Sequence, residues 1–417
     1  MSENLLSSLP ENWRLVRLKN VVELRTDRIP GSARNEGYVG LENVQSWTGK
    51  LLSATGVIDT SEDDDEKQNV VNIFDAGNVL FGKLRPYLAK AHLAQHSGIC
   101  STELLVFKSS KYVEPEFLLQ TILAKRFIDQ VNAETFGVKM PRADWDTISN
   151  VSIALPPLAT QRAIAAYLDR ETAKIDAMID AKQRLLGLLA EKRQALITHA
   201  VTRGLDPDAP MKDSGVEWIG AVPKHWRVEE AGRLFDEIDQ RSITGEEELL
   251  TVSHLTGVTR RSEKDVNMFM AETNEGYKWC QAGDLVINTL WAWMGAMGVA
   301  SEDGIVSPAY NVYRPKADYD SWYVDVLVRI PIFAQEVTRY SKGVWSSRLR
   351  LYPDEFFLVG LPVPPVAEQQ QIIKHIQTET KKIDQLLTVA HSTLEMLQER
   401  RAALISEAVT GQLQIAE

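Results

Sequence analysis

Residues 156–205 return at 364–413, and that repetition sets the architecture before any local motif is read. Aligned without a gap at an offset of 208, the two stretches share 21 of 50 residues. "PPLATQ" faces "PPVAEQ", "ETAKID" (171–176) faces "ETKKID" (379–384), and "EKRQALITHAVT" faces "ERRAALISEAVT". In both copies two prolines precede about 40 proline-free residues, the pattern of a long helix that starts just after a turn. Within it Ile175, Ile179, Lys182, Leu186, Leu189, Arg193, Leu196 and Ala200 step by alternating four and three. So do Ile383, Leu387, Ala390, Leu394, Leu397, Arg401, Leu404 and Ala408. Such a narrow stripe reads as a coiled-coil seam, interrupted by Lys182 and by one arginine at the same place in each copy, with a helix packed on its own globular domain as the alternative.

Outside the helices the kinship is fainter. "LPENWRL" (9–15) resembles "VPKHWRV" (222–228), "DAGNVL" (75–80) resembles "QAGDLV" (281–286), and "GICS" (98–101) resembles "GIVS" (304–307). The expected plan is a globular unit at 1–154, a long helix at 155–205, a linker and second globular unit at 206–362, and a second long helix at 363–417. The joint 203–226, rich in Pro, Gly and Asp, reads as linker. Each globular unit alternates Val/Ile/Leu runs such as "NVLF", "ELLVF" and "DLVI" with helical stretches such as 114–131. The fold class is α+β: two α/β domains separated by two long helices that form an antiparallel coiled coil with pseudo-two-fold symmetry.

Composition narrows the class. With 44% hydrophobic and 25% charged residues the chain reads as a soluble globular protein. The apolar run 285–300 contains Asn288 and Thr289 and is too short for a membrane helix. The start lacks the pattern of a signal peptide, and two cysteines make no disulfide framework, so the expected compartment is the cytoplasm. The net charge of −11 argues against a strong autonomous DNA binder, although the first helical segment carries +3 and the second globular segment −9.

No reaction class finds its residues. There is no GxxxxGK[ST] loop, no GxSxG elbow, and no Asn/Asp-Pro-Pro-aromatic loop for a flipped base, since both "PP" pairs lie in "LPPL" and "VPPV". His92 and His96, four apart, could share a helix face as metal ligands, but no HExxH or cysteine pair accompanies them. Cys100 and Cys280 sit in apolar company and read as core. Catalytic and metal residues are expected to be absent.

The doubled "PP-x-A-x-Q … ET-x-KID … ALI-x-x-AVT" helix, the joint "DSGVEWIGAVPKHW" and the strings "GNVLFGKLRPYLAK" and "GIVSPAYNVYRP" resemble the specificity subunit of a type I restriction-modification system. The likeness covers essentially the whole chain. It implies a DNA-reading subunit whose two target-recognition domains each read one half of a split, asymmetric sequence. It also implies that the helices act as spacer and docking site for two modification subunits, which restriction subunits join. S-adenosylmethionine, ATP and Mg²⁺ would belong to those partners, with no cofactor on this chain. A coiled-coil scaffold that never touches DNA and a fused restriction-methylation enzyme are the competing readings.

Base edges are read by Arg, Lys, Asn, Gln and Ser on loops. In the first domain the candidates are Lys83, Arg85, Tyr87 and Lys90 beside a proline-fixed turn, with Lys139 and Arg142. The corresponding stretches of the second offer Asn288, Thr289, Trp291 and Trp293, then Lys342, Ser346, Ser347, Arg348 and Arg350. For subunit docking the doubled hexapeptide offers Glu171, Lys174 and Asp176, and Glu379, Lys382 and Asp384.

Overall fold

The computed structural model describes residues 9–30, 37–52, 70–137, 139–264, 273–316, 319–343 and 349–415. The chain divides into two compact units, residues 1–183 with 391–417, and residues 184–390. Both long helices, Leu158–Arg203 and Val366–Val409, cross from one unit to the other. The fold is α+β.

In the first unit a four-stranded antiparallel sheet runs in the order Val22–Arg25, Leu104–Ser109, Val79–Gly82, Ala91–Leu93. Every residue of Val79–Gly82 is buried, as a central strand packed on both faces requires. Arg14–Arg17 pairs antiparallel with Ser152–Leu155, tying the start of the domain to the strand that feeds the first long helix. Sequence suggests one helix over 114–131; there are two, Pro115–Leu123 and Lys125–Ala133, broken where Ala124 is extended (ψ 135). No glycine or proline marks that break. Tertiary packing imposes it, because Phe117, Leu118, Ile122, Phe127, Ile128 and Val131 all enter one core.

The second unit repeats the scheme: Phe235–Ile238, Tyr310–Pro315, Leu285–Asn288 and Met297–Val299 form a sheet in the same order, and Arg227–Glu230 pairs with Gly360–Val363. Helices Ser321–Val328 and Pro331–Tyr340 take the place of the earlier pair. The joint is more structured than its composition suggests. Met211–Asp213 pairs with Ala221–Pro223, and Trp218, Ile219, Val222 and Trp226 belong to the second unit's core. Burying two tryptophans outweighs the flexibility that Gly and Pro would otherwise confer.

The motif "PP-x-A-x-Q" fastens each long helix to its domain. Gln161 is fully buried; its Oε1 accepts from the Glu114 N–H (2.8 Å) and its Nε2 donates to the carbonyls of Tyr112 (3.0 Å) and Pro156 (2.8 Å). Gln369, equally buried, accepts from the Asp320 N–H (2.8 Å) and donates to the Pro364 carbonyl (2.9 Å). Substituting Gln161→Ala removes the side-chain partner of three backbone groups, one of them the buried Pro156 carbonyl, and the expected loss is about 2 kcal/mol. Thermal denaturation checks this; an unchanged midpoint would mean that the buried amide does not anchor the helix.

Candidate nucleic-acid interface and helix pair

Two loops meet at one end of each domain. In the first, the Arg85 N–H donates to the Pro141 carbonyl (2.7 Å) and the Ala143 N–H to the Lys83 carbonyl (3.0 Å), so "GKLRPYL" and residues 139–143 form one surface. Lys83 and Arg85 are half-buried there, Tyr87 is 42% exposed, and Lys139 and Arg142 are exposed. Arg142 pairs with Glu103 (3.1 Å), while Lys90 turns inward and donates to the Leu41 carbonyl (2.7 Å). Phe136 and Met140, exposed on the second loop, were not singled out by sequence; a lone apolar residue in a loop carries no periodic signal.

In the second domain the Leu351 N–H donates to the Thr289 carbonyl (3.2 Å), joining the corresponding loops. Asn288 is buried, and its Oδ1 accepts from the Leu290 N–H (3.2 Å), so it builds the turn. Thr289 Oγ1 donates to the Ala309 carbonyl (2.6 Å) and Trp293 Nε1 to the Leu290 carbonyl (3.0 Å). Trp291 stays half-exposed. Lys342 and Arg350 exchange backbone hydrogen bonds (both 2.9 Å), and the Lys342 ammonium pairs with Glu355, which raises its pKa. Arg350 is exposed. Ser346, Ser347 and Arg348 lie outside the described residues.

The doubled hexapeptide serves the helix pair. Every one of the sixteen seam positions is buried or half-buried. Thr172 and Thr380 are buried and donate to the carbonyls four residues back, Leu168 and Ile376 (both 2.7 Å). In the first unit the arginine that interrupts the seam, Arg401, donates through Nε to Asp176 Oδ1 (2.7 Å) and through Nη1 to the Trp47 carbonyl (2.7 Å). Lys50 also reaches Asp176 (2.8 Å). In the second unit Arg193 Nε donates to Asp384 Oδ1 (3.0 Å). Asp176 and Asp384, like Arg193 and Arg401, are 208 residues apart, so the two ion pairs are equivalents. In the first unit Ile164 and Leu168 share a core with Ile405, Ala408 and Val409, and in the second Ala200 and Val201 with Ile372, Ile373 and Ile376. Within each unit, therefore, the paired helix halves run antiparallel. Glu171 pairs with Lys174 (2.9 Å) and Arg170, and Glu379 with Lys382 (2.6 Å), which holds both carboxylates below their usual pKa range.

Among the described residues no group of three or more His, Cys, Asp or Glu could hold a metal. His92 lies on the strand Ala91–Leu93 and not on a helix, with Nδ1 2.9 Å from the Gly49 carbonyl oxygen. Cys100 and Cys280 are free and fully buried, and burial pushes both thiols up to about 12, the opposite of an activated nucleophile. No described helix is long and apolar enough to cross a membrane.

The paired loops and the paired helix halves are each built twice, and comparison with known proteins says what the chain is similar to. Residues 10–185 match the family described as the type I restriction modification DNA specificity domain. The chain is 25% identical over 197 residues to the type I restriction enzyme EcoDI specificity subunit of Escherichia coli, a match covering 47% of this chain and 43% of that one. It is 23% identical over 310 residues to the Escherichia coli EcoBI specificity subunit, covering 69% and 64%. The matched stretches thus span less than two thirds of either relative's own length. A solved chain from a study of the assembly and conformational transition of the type I restriction-modification system is 20% identical. It aligns over 97% of this chain and 100% of that one with a TM-score of 0.67, a likeness of fold. The chain is thus similar to type I specificity subunits, and its residues 10–185 match the model of their DNA specificity domain.

Proposed function

We propose that the chain is the non-catalytic, sequence-reading subunit of a type I restriction-modification complex, each globular domain reading one half of a bipartite, asymmetric DNA site. The observation that carries this is the contrast between the two kinds of repeat. The helix halves share 21 of 50 residues, the Asp–Arg pairs among them, whereas the loops at the equivalent end of each domain share a short turn and differ in side chains. Kindred surfaces suit two copies of one partner, and unlike loops suit two unlike half-sites.

In this reading two modification subunits dock on the helices, with the exposed Glu171–Lys174 and Glu379–Lys382 pairs as contacts, while Asp176 and Asp384 lock the helices together. Restriction subunits join that assembly in the cytoplasm, and S-adenosylmethionine, ATP and Mg²⁺ are carried by the partners. The helix pair is the ruler between the half-sites, which must be met about one DNA turn, roughly 34–36 Å, apart. Inserting one heptad into each helix, between Leu186 and Leu189 and between Leu394 and Leu397, keeps both seams in phase. It adds about 10 Å of helix, or about three base pairs of DNA at roughly 3.4 Å each. Methylation mapping should return the same two half-sites with a longer gap, or no methylation. Full activity at the original spacing would contradict the ruler.

A further inference from the structure

The first reading loop of each domain is built on the same short turn, 206 residues apart, although the residue entering it is left-handed in one domain (Arg85, φ 49) and not in the other (Trp291, φ −126). The turn Pro86–Leu88 answers Ala292–Met294, and each is followed by a left-handed residue, Ala89 (φ 46) and Gly295 (φ 85). Both lead into the edge strand of the main sheet, and both are held to the second loop by a hydrogen bond at the same place, Ala143 to Lys83 and Leu351 to Thr289. The residue just before the turn is Arg85 in one domain and Trp291 in the other.

Each of these two side chains is left unused by its own domain. Arg85 is held in the left-handed region (φ 49), a conformation that costs a non-glycine residue about 1–3 kcal/mol and persists because its N–H is fixed to Pro141. Its buried Nε has no hydrogen-bond partner among the described residues. Trp291 is 51% exposed, flanked by Leu290 and Met294 at 37% and 36%, whereas its neighbour Trp293 is pinned through Nε1. An arginine fork matches guanine O6 and N7. An indole face has no acceptor and, laid on a guanine or cytosine edge, would leave polar groups stranded; the apolar feature it can meet in the major groove is the thymine methyl.

Resting on the function proposed above, we infer that 85 and 291 are the same reading position used with opposite chemistry. Arg85 reads a guanine in the first half-site, and Trp291 reads a thymine by its methyl group in the second. Lys139, Arg142 and Arg350 around them serve phosphates and set register.

The test uses the full chain assembled with its modification subunits, on the target found by sequencing a methylated random library. Each thymine of the second half-site is replaced in turn by deoxyuridine, which removes only the methyl. One replacement should weaken binding on the order of tenfold, the usual scale of a single wrong pair. The same replacement should leave Trp291→Ala unaffected, that variant should accept other pairs at that position, and Trp291→Phe should keep the preference. Arg85→Ala should relax one G·C pair in the first half-site and ignore deoxyuridine. A second half-site without an A·T pair, no response to deoxyuridine, or uniform weakening of every sequence by Trp291→Ala would overturn the inference while bipartite recognition stood. A wild-type assembly with no sequence preference would remove the proposed function itself.

Discussion

Replacing Arg401 with alanine should destabilise the protein by about 2 kcal/mol, because it strips the Trp47 carbonyl of its donor and leaves the nearly buried Asp176 carboxylate with Lys50 alone. The Arg401 and Asp176 side chains are 10% and 12% exposed, and Arg401 also ties down the Trp47 carbonyl. The equivalent Arg193→Ala should cost less than about 1 kcal/mol, since Arg193 and Asp384 are 41% and 51% exposed and water screens the pair. The same change at two repeat-related positions thus separates burial from sequence identity. Urea denaturation of the two variants measures the difference; equal losses would show that the clasp by residues 47–50 contributes nothing.

A fragment ending at Asp206 should form a two-fold dimer and redirect methylation. It loses residues 391–417, and with them the partner of Ile164, Leu168 and Asp176. Its own residues 184–203 carry the counterparts Arg193, Leu196, Ile197, Ala200 and Val201 in place of Arg401, Leu404, Ile405, Ala408 and Val409. Two antiparallel copies would rebuild the seam and let Asp176 of each meet Arg193 of the other, the commonest way for such a surface to close. Given modification subunits, the dimer should methylate an inverted repeat of the first half-site. Light scattering and methylation mapping check both steps. A folded monomer, or a dimer still methylating the asymmetric target, would refute the account.

The seam was legible because helical periodicity is written in consecutive residues: all sixteen positions named from the 4-3 stepping are buried or half-buried. The arginines that interrupt it read as flaws in sequence, because their aspartate partners lie on the other helix and no local pattern connects them. The paired loops of each domain were legible as loops. Sequence could not separate Trp291 from the pinned Trp293, or Arg142, which meets Glu103, from Arg85, whose Nε meets nothing described. Nor could it find Trp218 and Trp226 in a core, since the surrounding Gly and Pro signal a linker while burial depends on the residues they fold against.

Sequencing the DNA methylated by this chain together with its modification subunits, starting from a random library, tests two-domain reading most directly. The account predicts two unlike blocks of specified bases separated by a gap of unspecified ones, with Arg85→Ala altering only one block and Trp291→Ala only the other. A single continuous motif, a palindrome, or both blocks altered by either substitution would contradict it.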